Sequence, residues 1–316
     1  MNYFPIFLDA KKTNVLVVGG GDIASAKIEL LIKSPTSVTV VSPKVSANVQ
    51  ALIDADKINY IDGYYEKSQL ANKQLVFVAT ENRVLNEQIS KDALDNGVLA
   101  NVVDNADLCH FITPAIIDRT PMVFAMTSSG QSPVLLRYWR EKLETIIPQS
   151  LGKLASFAGE KRQSVKDHFT NFANRRLFWE TFFSGTGIEQ GENLEHTFNT
   201  QLADSEDVAM SQAELLIVDT PLHPDLLTLG AVRNMQKADN IVHDLDVGSV
   251  IIDLCRRDAP KTVLNEENMN KALTLLKQGK RVCYLNNVNS MLSQTLVNEA
   301  KQMNCQVFNF SSAAAI

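Results

Sequence analysis

The chain has 316 residues, 45% of them apolar and 21% charged, with a net charge of −6. These values fit a globular protein with room for two domains. The acidic balance speaks against a general nucleic-acid binder, and no apolar run nears the roughly 18 residues that would span a bilayer. Met1-Asn2-Tyr3-Phe4-Pro5 lacks the charged-then-apolar pattern of a secretory signal. Four scattered cysteines (Cys109, Cys255, Cys283, Cys305) form no CxxC pair and no zinc-like spacing. Free thiols in a cytoplasmic protein are therefore expected.

In chain order, Thr13 to Val18 reads as a β-rich apolar strand running straight into Gly19-Gly20-Gly21. From Asp22 the apolar spacing turns helical through Ile23, Ala26, Leu30 and Leu31. Ser37–Val41 is a second strand closed by Ser42-Pro43, Leu75–Ala79 a buried strand, and Leu85–Asn96 a helix stopped by Gly97. Val98–Val103 and Met122–Met126 are further strands. Such alternation predicts an α/β fold with a Rossmann-type parallel sheet. Val134–Ile147 is an amphipathic helix carrying Leu135, Leu136, Trp139 and Leu143, and 151–183 is helical throughout. A polar, glycine-bearing stretch reads as a linker. Alternation then returns, with strands at 215–218, 281–285 and 306–310 and a helix through 226–238. The expected domains are 1–114 (dinucleotide-binding), 115–184 (helical), 185–212 (linker) and 213–316 (a second, partial α/β domain).

Gly19-Gly20-Gly21-Asp22-Ile23-Ala24 fits G-x-G-x-x-A between a strand and a helix. Gly19 permits the tight turn, Gly21 lets a pyrophosphate approach the backbone, and the start of the helix at Asp22 and Ile23 offers N–H groups to it. A dinucleotide is the expected cofactor. The second strand, however, ends in Ser42-Pro43-Lys44 instead of an acidic residue. Ser42 is placed to bond a ribose hydroxyl and Lys44 to tolerate a 2′-phosphate, so the residues leave NAD and NADP both open. Ala79, Thr80, Asn101 and Val102 lie at further strand ends and complete the expected cofactor site.

Asp104 follows a parallel strand at its C-terminal end, where ligand sites of such sheets gather. A carboxylate there serves as a base, as a metal ligand, or as a simple cap of the next loop. Ser128 and Ser132 precede a helix bearing Arg137 and Arg140, and Arg119 lies upstream. Hydroxyls, N–H groups and guanidiniums of this kind suit a ligand's carboxylates, although the serines would serve equally as ordinary helix caps. Over residues 115–185, Lys and Arg outnumber Asp and Glu by 10 to 6, a locally positive segment inside an acidic chain. His110 reads as a loop residue, not a ligand.

Taken together and in order, the glycine turn, Ala79-Thr80-Glu81-Asn82, Asn101–Asp104, Phe111–Arg119, Ser132-Pro133 and Arg175–Glu180 resemble the N-terminal half of siroheme synthase. The resemblance implies oxidation of precorrin-2 to sirohydrochlorin with NAD, then insertion of ferrous iron as a substrate, at a site using the aspartate that matches Asp104. It also implies a tetrapyrrole substrate held by the basic segment, a homodimer formed through the helical region, and a site-proximal serine at Ser128. Two alternatives stay open: a dehydrogenase served by a separate chelatase, and a dinucleotide- or tetrapyrrole-binding sensor without turnover.

Residues 213–316 resemble the first half of the methyltransferase domain of full-length siroheme synthases, through Asp225–Leu229, Ala238-Asp239, His243-Asp244, Arg256–Ala259 and Gly279–Val282. Where that family has a Gly-Pro-Gly turn this chain has Asp219-Thr220-Pro221-Leu222-His223-Pro224. Where the family has a second glycine-rich loop, this chain has Asn286-Asn287-Val288-Asn289-Ser290. Side chains in place of those glycines should block close backbone approach. No S-adenosylmethionine and no methyl transfer are expected.

Overall fold

A computed structural model describes residues 2–185, 193–205, 213–287 and 291–311. The chain divides into two compact units, Met1–Asp118 with Val123–Ile146, and Arg119–Met122 with Ile147–Ile316.

The first unit contains β1 (Asn14–Val18), α1 (Asp22–Leu31), β2 (Ser37–Ser42), α2 (Ala47–Asp54), β3 (Asn59–Asp62), β4 (Leu75–Val78), α3 (Arg83–Asp95) and β5 (Leu99–Val102). The strands form one parallel sheet in the order β3-β2-β1-β4-β5. Successive residues of β1 face opposite ways, and both sets are buried. Val15 and Val17 pack with Val38, Val40, Phe77 and the α1 residues Ala24 and Ile28. Leu16 and Val18 pack with Val76, Val78, Ala100, Val102 and the α3 residues Ile89 and Ala93. Continuous Val-rich runs therefore read as strands because each residue has a core to enter. Ser46 caps α2 by accepting from Val49 N–H at 3.4 Å, and Asn82 caps α3 by accepting from Leu85 N–H at 3.1 Å.

A two-stranded ribbon follows, β6 (Ala115–Arg119) with β7 (Met122–Met126), then α4 (Pro133–Ile146). α4 is amphipathic as expected, yet none of its residues is buried. Leu135, Tyr138 and Trp139 are each about half exposed.

In the second unit, α5 (Leu151–His168), α6 (Phe172–Phe183) and α7 (Leu194–Asp204) surround an aromatic core of Phe157, Phe169, Phe178, Phe182 and Phe198. Helix α7 lies inside the stretch read above as a linker. Its polar sequence hides one deeply buried anchor, Phe198, at 2% exposure. Residues 186–192 and 206–212 of that stretch lie outside the described residues. Gly152 lets α5 approach the turn before it, since a Cβ there would meet Thr120 O at 2.4 Å and Arg119 O at 2.7 Å.

The remaining elements are β8 (Glu214–Asp219), α8 (Leu229–Met235), β9 (Asn240–His243), α9 (Ser249–Asp253), β10 (Lys261–Val263), α10 (Glu266–Lys277), β11 (Arg281–Asn286), α11 (Met291–Gln302) and β12 (Gln306–Phe310). They form a second parallel sheet in the order β10-β9-β11-β8-β12. Charged side chains join this sheet to α6. Arg176 pairs with Asp239, which also takes Arg256, while Arg281 reaches Glu180 at 2.8 Å and Glu214 at 3.0 Å. Burial alone would raise the Asp239 carboxyl. Hydrogen bonds from Arg176 and from the Arg281 backbone, with the Arg176 and Lys280 charges, hold it below the usual carboxylate range instead. Cys255 and Cys283 are buried in the core and Cys109 and Cys305 half-buried, all four as free thiols. No helix among the described residues is long and apolar enough to cross a membrane.

Candidate functional site

In the first sheet the strand order reverses between β1 and β4, and every loop expected to carry the site leaves the same C-terminal edge. Gly19–Gly21 follows β1, Ser42–Lys44 follows β2, Ala79-Thr80 follows β4, and Val103-Asp104 follows β5. A crevice opens at such a switch point because neighbouring loops turn to opposite sides of the sheet.

The three glycines of the turn answer three different demands. Gly19 has φ +113° and no room for a side chain, because a Cβ would stand 2.3 Å from Ala79 O. Gly20 lies against the next loop, where a Cβ would meet Lys44 O at 2.5 Å. At Gly21 the same construction meets nothing within 4 Å. Gly21 is also the N-cap of α1 and supplies no side-chain cap to its first-turn N–H groups. Open space at the Gly21 Cβ position, beside uncapped donors at the positive end of a helix, suits the close approach of a pyrophosphate. The donor set thus fits a dinucleotide, and Gly21, Asp22 and Ile23 are the residues that could hold its phosphates. Asp22 and Ile23 are exposed in the first turn, Ile23 at 53%.

Other expected cofactor contacts are turned inward. Ser42 is only 7% exposed, and its hydroxyl donates to Lys44 O at 2.6 Å, closing the loop instead of facing a ribose. Pro43 and the Lys44 side chain are exposed. Thr80 donates to Asn86 Oδ1 at 2.5 Å, an interaction that anchors the start of α3. Asn101 (8% exposed) and Val102 (2%) are buried, and the Asn101 amide donates to Phe111 O at 2.9 Å. Ser42, Thr80 and Asn101 thus spend their side-chain hydrogen bonds on shaping the loops, while Pro43 and Lys44 stay exposed at the same sheet edge.

Asp104 is displayed. Asn105 N–H donates to Val102 O at 3.3 Å, which closes a turn with Asp104 in its third position at φ +57°. An L-residue in this left-handed region costs of the order of 1 kcal/mol, less for Asp than for most. The Asp104 side chain is exposed and has no hydrogen-bond partner among the described residues, so a capping role has no support. No three His, Cys, Asp or Glu side chains among the described residues are grouped as a metal site.

The basic residues divide. Arg119 is 6% exposed and gives Nε and Nη2 to Ile147 O at 3.2 and 3.0 Å, a structural clamp and not a displayed cation. Arg140 is exposed but gives Nε to Ile116 O at 3.1 Å and pairs with Glu144 at 3.4 Å. Arg137 is exposed with no ion pair among the described residues. Ser128 Oγ accepts Ser132 N–H at 3.2 Å, and Ser132 Oγ accepts Leu135 N–H at 3.4 Å. Both serines cap, and each keeps its O–H proton to donate. Sequence reasoning passed over Cys109, whose thiol contacts the backbone of the Asp104 turn; no motif marks it. His110 is a loop residue as expected, its Nδ1 accepting from Ala100 N–H at 3.1 Å.

Two family models match: one described as "Putative NAD(P)-binding" over residues 6–115, and "Sirohaem synthase dimerisation region" over residues 150–202. Among curated relatives, the siroheme synthase of Pseudoalteromonas atlantica is 46% identical over 83% of this chain and 58% of its own length. The siroheme synthase of Pseudoalteromonas translucida is 36% identical over the whole chain and 70% of its own length. The chain thus spans less than two thirds of several relatives it matches, with 63% and 64% in two further cases. A solved structure titled "SirC, precorrin-2 dehydrogenase" shares the fold, with a TM-score of 0.55 and 23% identity over 64% of this chain and 100% of that one. The glycine turn, the parallel sheet and the helical region agree with these matches, and the chain belongs to the siroheme synthase family.

Proposed function

We propose that the chain is an NAD-dependent precorrin-2 dehydrogenase that also inserts ferrous iron into the sirohydrochlorin it makes, acting as a homodimer. Asp104 carries this reading. It is an exposed carboxylate held in left-handed backbone on the same sheet edge as a dinucleotide-binding glycine turn. Siroheme synthase relatives aligned along the chain support the substrate class.

When bound, NAD supplies the acceptor for the hydride lost by precorrin-2. The protein's part is to remove the accompanying proton, and Asp104 has a free carboxylate at the strand end for this purpose. The products are sirohydrochlorin, NADH and one proton. Iron insertion then displaces two pyrrole protons from sirohydrochlorin, and the same carboxylate is placed to receive them in turn. Arg137 and the O–H groups of Ser128 and Ser132 are the groups in this part of the chain suited to the substrate's carboxylates. The match to a dimerisation region supports the assembly. Light scattering should give a dimer at micromolar concentration, and a monomer alone would contradict it.

The second sheet is read as structural, without S-adenosylmethionine or methyl transfer. Its strand ends are tied by side chains: Asn286 donates to Asp219 at 2.7 Å, and the Tyr284 hydroxyl and Asn287 N–H both donate to Asp244 at 2.8 Å. Residues 288–290, in the loop that lacks the family's glycines, lie outside the described residues. Calorimetric titration with S-adenosylmethionine should show no saturable binding, and micromolar affinity would overturn this reading. The dehydrogenase itself is tested by NADH formation from enzymatically generated precorrin-2, beside Asp104→Asn. Asn tolerates left-handed backbone, so this substitution removes the charge and leaves the turn.

A further inference from the structure

We propose that Cys109 is a positioning residue for Asp104: its thiol clasps the turn that presents the carboxylate. The inference rests on the reading of Asp104 as the base. β5 is the edge strand of its sheet, so its outward N–H and C=O groups need partners from outside the sheet. The segment 109–111 supplies them. Ala100 exchanges two bonds with His110, giving N–H to Nδ1 at 3.1 Å and receiving His110 N–H on its carbonyl at 2.8 Å. Two residues on, the same edge position falls to Val102, and there a sulfur takes over. Val102 N–H donates to Cys109 Sγ at 3.1 Å, and Asn101 Nδ2 lies 3.7 Å from the same atom.

The thiol proton has two acceptors at equal reach, Val102 O and Asn105 O, each at 3.2 Å. Those carbonyls belong to the first and last residues of the turn that holds Asp104. A single S–H group thus spans both ends of a turn whose own closing bond, Asn105 N–H to Val102 O, is 3.3 Å long. Asp104 contributes nothing to holding this turn, since its side chain has no partner among the described residues. Its φ of +57° is held by the turn's closing bond together with contacts from outside the turn. Cys109 is the side chain in contact with both flanks, and Asn101, buried and bonded to Phe111 O, fixes the far end of the clasping segment.

Removing the thiol should leave the dinucleotide site intact, because the glycine turn follows a different strand. It should let the carboxylate wander, and displacement of a reacting group by about 1 Å costs up to about a hundredfold in rate. The test compares wild type, Cys109→Ala, Cys109→Ser, Asp104→Asn and the double variant Cys109→Ala/Asp104→Asn. Readouts are NADH formation, NAD affinity, and amide hydrogen exchange over residues 99–111. Expected for Cys109→Ala are a kcat lowered about ten- to a hundredfold, an NAD Kd within about twofold of wild type, and faster exchange over 101–105. Cys109→Ser, which keeps a donor and an acceptor, should recover most of both losses. The double variant should be no slower than Asp104→Asn alone, because both changes act through one carboxylate. Unchanged exchange in Cys109→Ala, or a loss of rate that multiplies with that of Asp104→Asn, overturns the clasp while leaving Asp104 as the base. Wild-type turnover in Asp104→Asn removes the base, and the positioning role falls with it, whatever the exchange data show.

Discussion

Gly21→Ala, set beside Gly19→Ala, tests the proposal that Gly21 serves a ligand while Gly19 serves the fold. Two small effects on stability oppose each other at this position. Alanine restricts the unfolded chain, a gain of about 0.4–1 kcal/mol where the native backbone tolerates it, and φ −80° with open space around the Cβ does so. Alanine is also a poorer N-cap than glycine, a loss of about 0.5–1 kcal/mol. The net change should lie within about 1 kcal/mol of zero in urea unfolding. Affinity has no such compensation, because the new methyl occupies the space beside the first-turn N–H groups. Crowding by one methyl costs about 1–3 kcal/mol, which is about 5- to 150-fold in Kd. Gly19→Ala should behave differently. Its φ of +113° and a Cβ 2.3 Å from Ala79 O combine backbone strain with overpacking, about 2–6 kcal/mol in all. Fluorescence or calorimetric titration with NAD, beside urea melts of both variants, measures each term. A Gly21→Ala protein that binds NAD like wild type would refute the assignment of this space to the pyrophosphate.

Further predictions concern the frame. Gly152→Ala places a methyl 2.4 Å from Thr120 O and should cost about 2–3 kcal/mol in urea unfolding. Asp92 is buried among Lys67, Gln88 and Tyr65; burial opposes its charge, but the Gln88 and Lys67 contacts outweigh that and hold its carboxyl below the usual carboxylate range. A depressed carboxyl stabilises the fold above its unfolded pKa and loses that contribution as pH falls through the folded one. The stability gap between wild type and Asp92→Asn should therefore be fullest at neutral pH and shrink below about pH 4; a gap constant with pH would contradict the sign. Arg176→Met removes a partner from Asp239, which is 13% exposed. It should destabilise the second unit by about 2–3 kcal/mol, Arg256 retaining part of the interaction.

The sheets were legible where a strand enters two cores, as with Val15–Val18 and Leu75–Val78, because burial on both faces leaves an unbroken apolar run. Strand β3, Asn59–Asp62, left no such trace: it lies at the sheet edge with most of its side chains exposed. Helix α7 was hidden because one residue, Phe198, carries its packing. At the candidate site, the position of the glycine turn could be read because its geometry is local, and that of Asp104 because a strand end is a position in sequence as well as in space. What the hydroxyls and guanidiniums do could not be read. Ser42 chooses Lys44 O and Arg119 chooses Ile147 O, and those partners arrive only when the chain has folded. Cys109 escaped for the same reason, since its acceptors are backbone carbonyls.

NADH formation by the purified chain, given NAD and enzymatically generated precorrin-2, with Asp104→Asn alongside, tests the central claim most directly. Turnover in the wild type and a fall of about a hundredfold or more in the variant, with NAD still bound by both, is the predicted result. Equal rates in the two proteins, or no NADH from a wild type that binds both NAD and the tetrapyrrole, would contradict it.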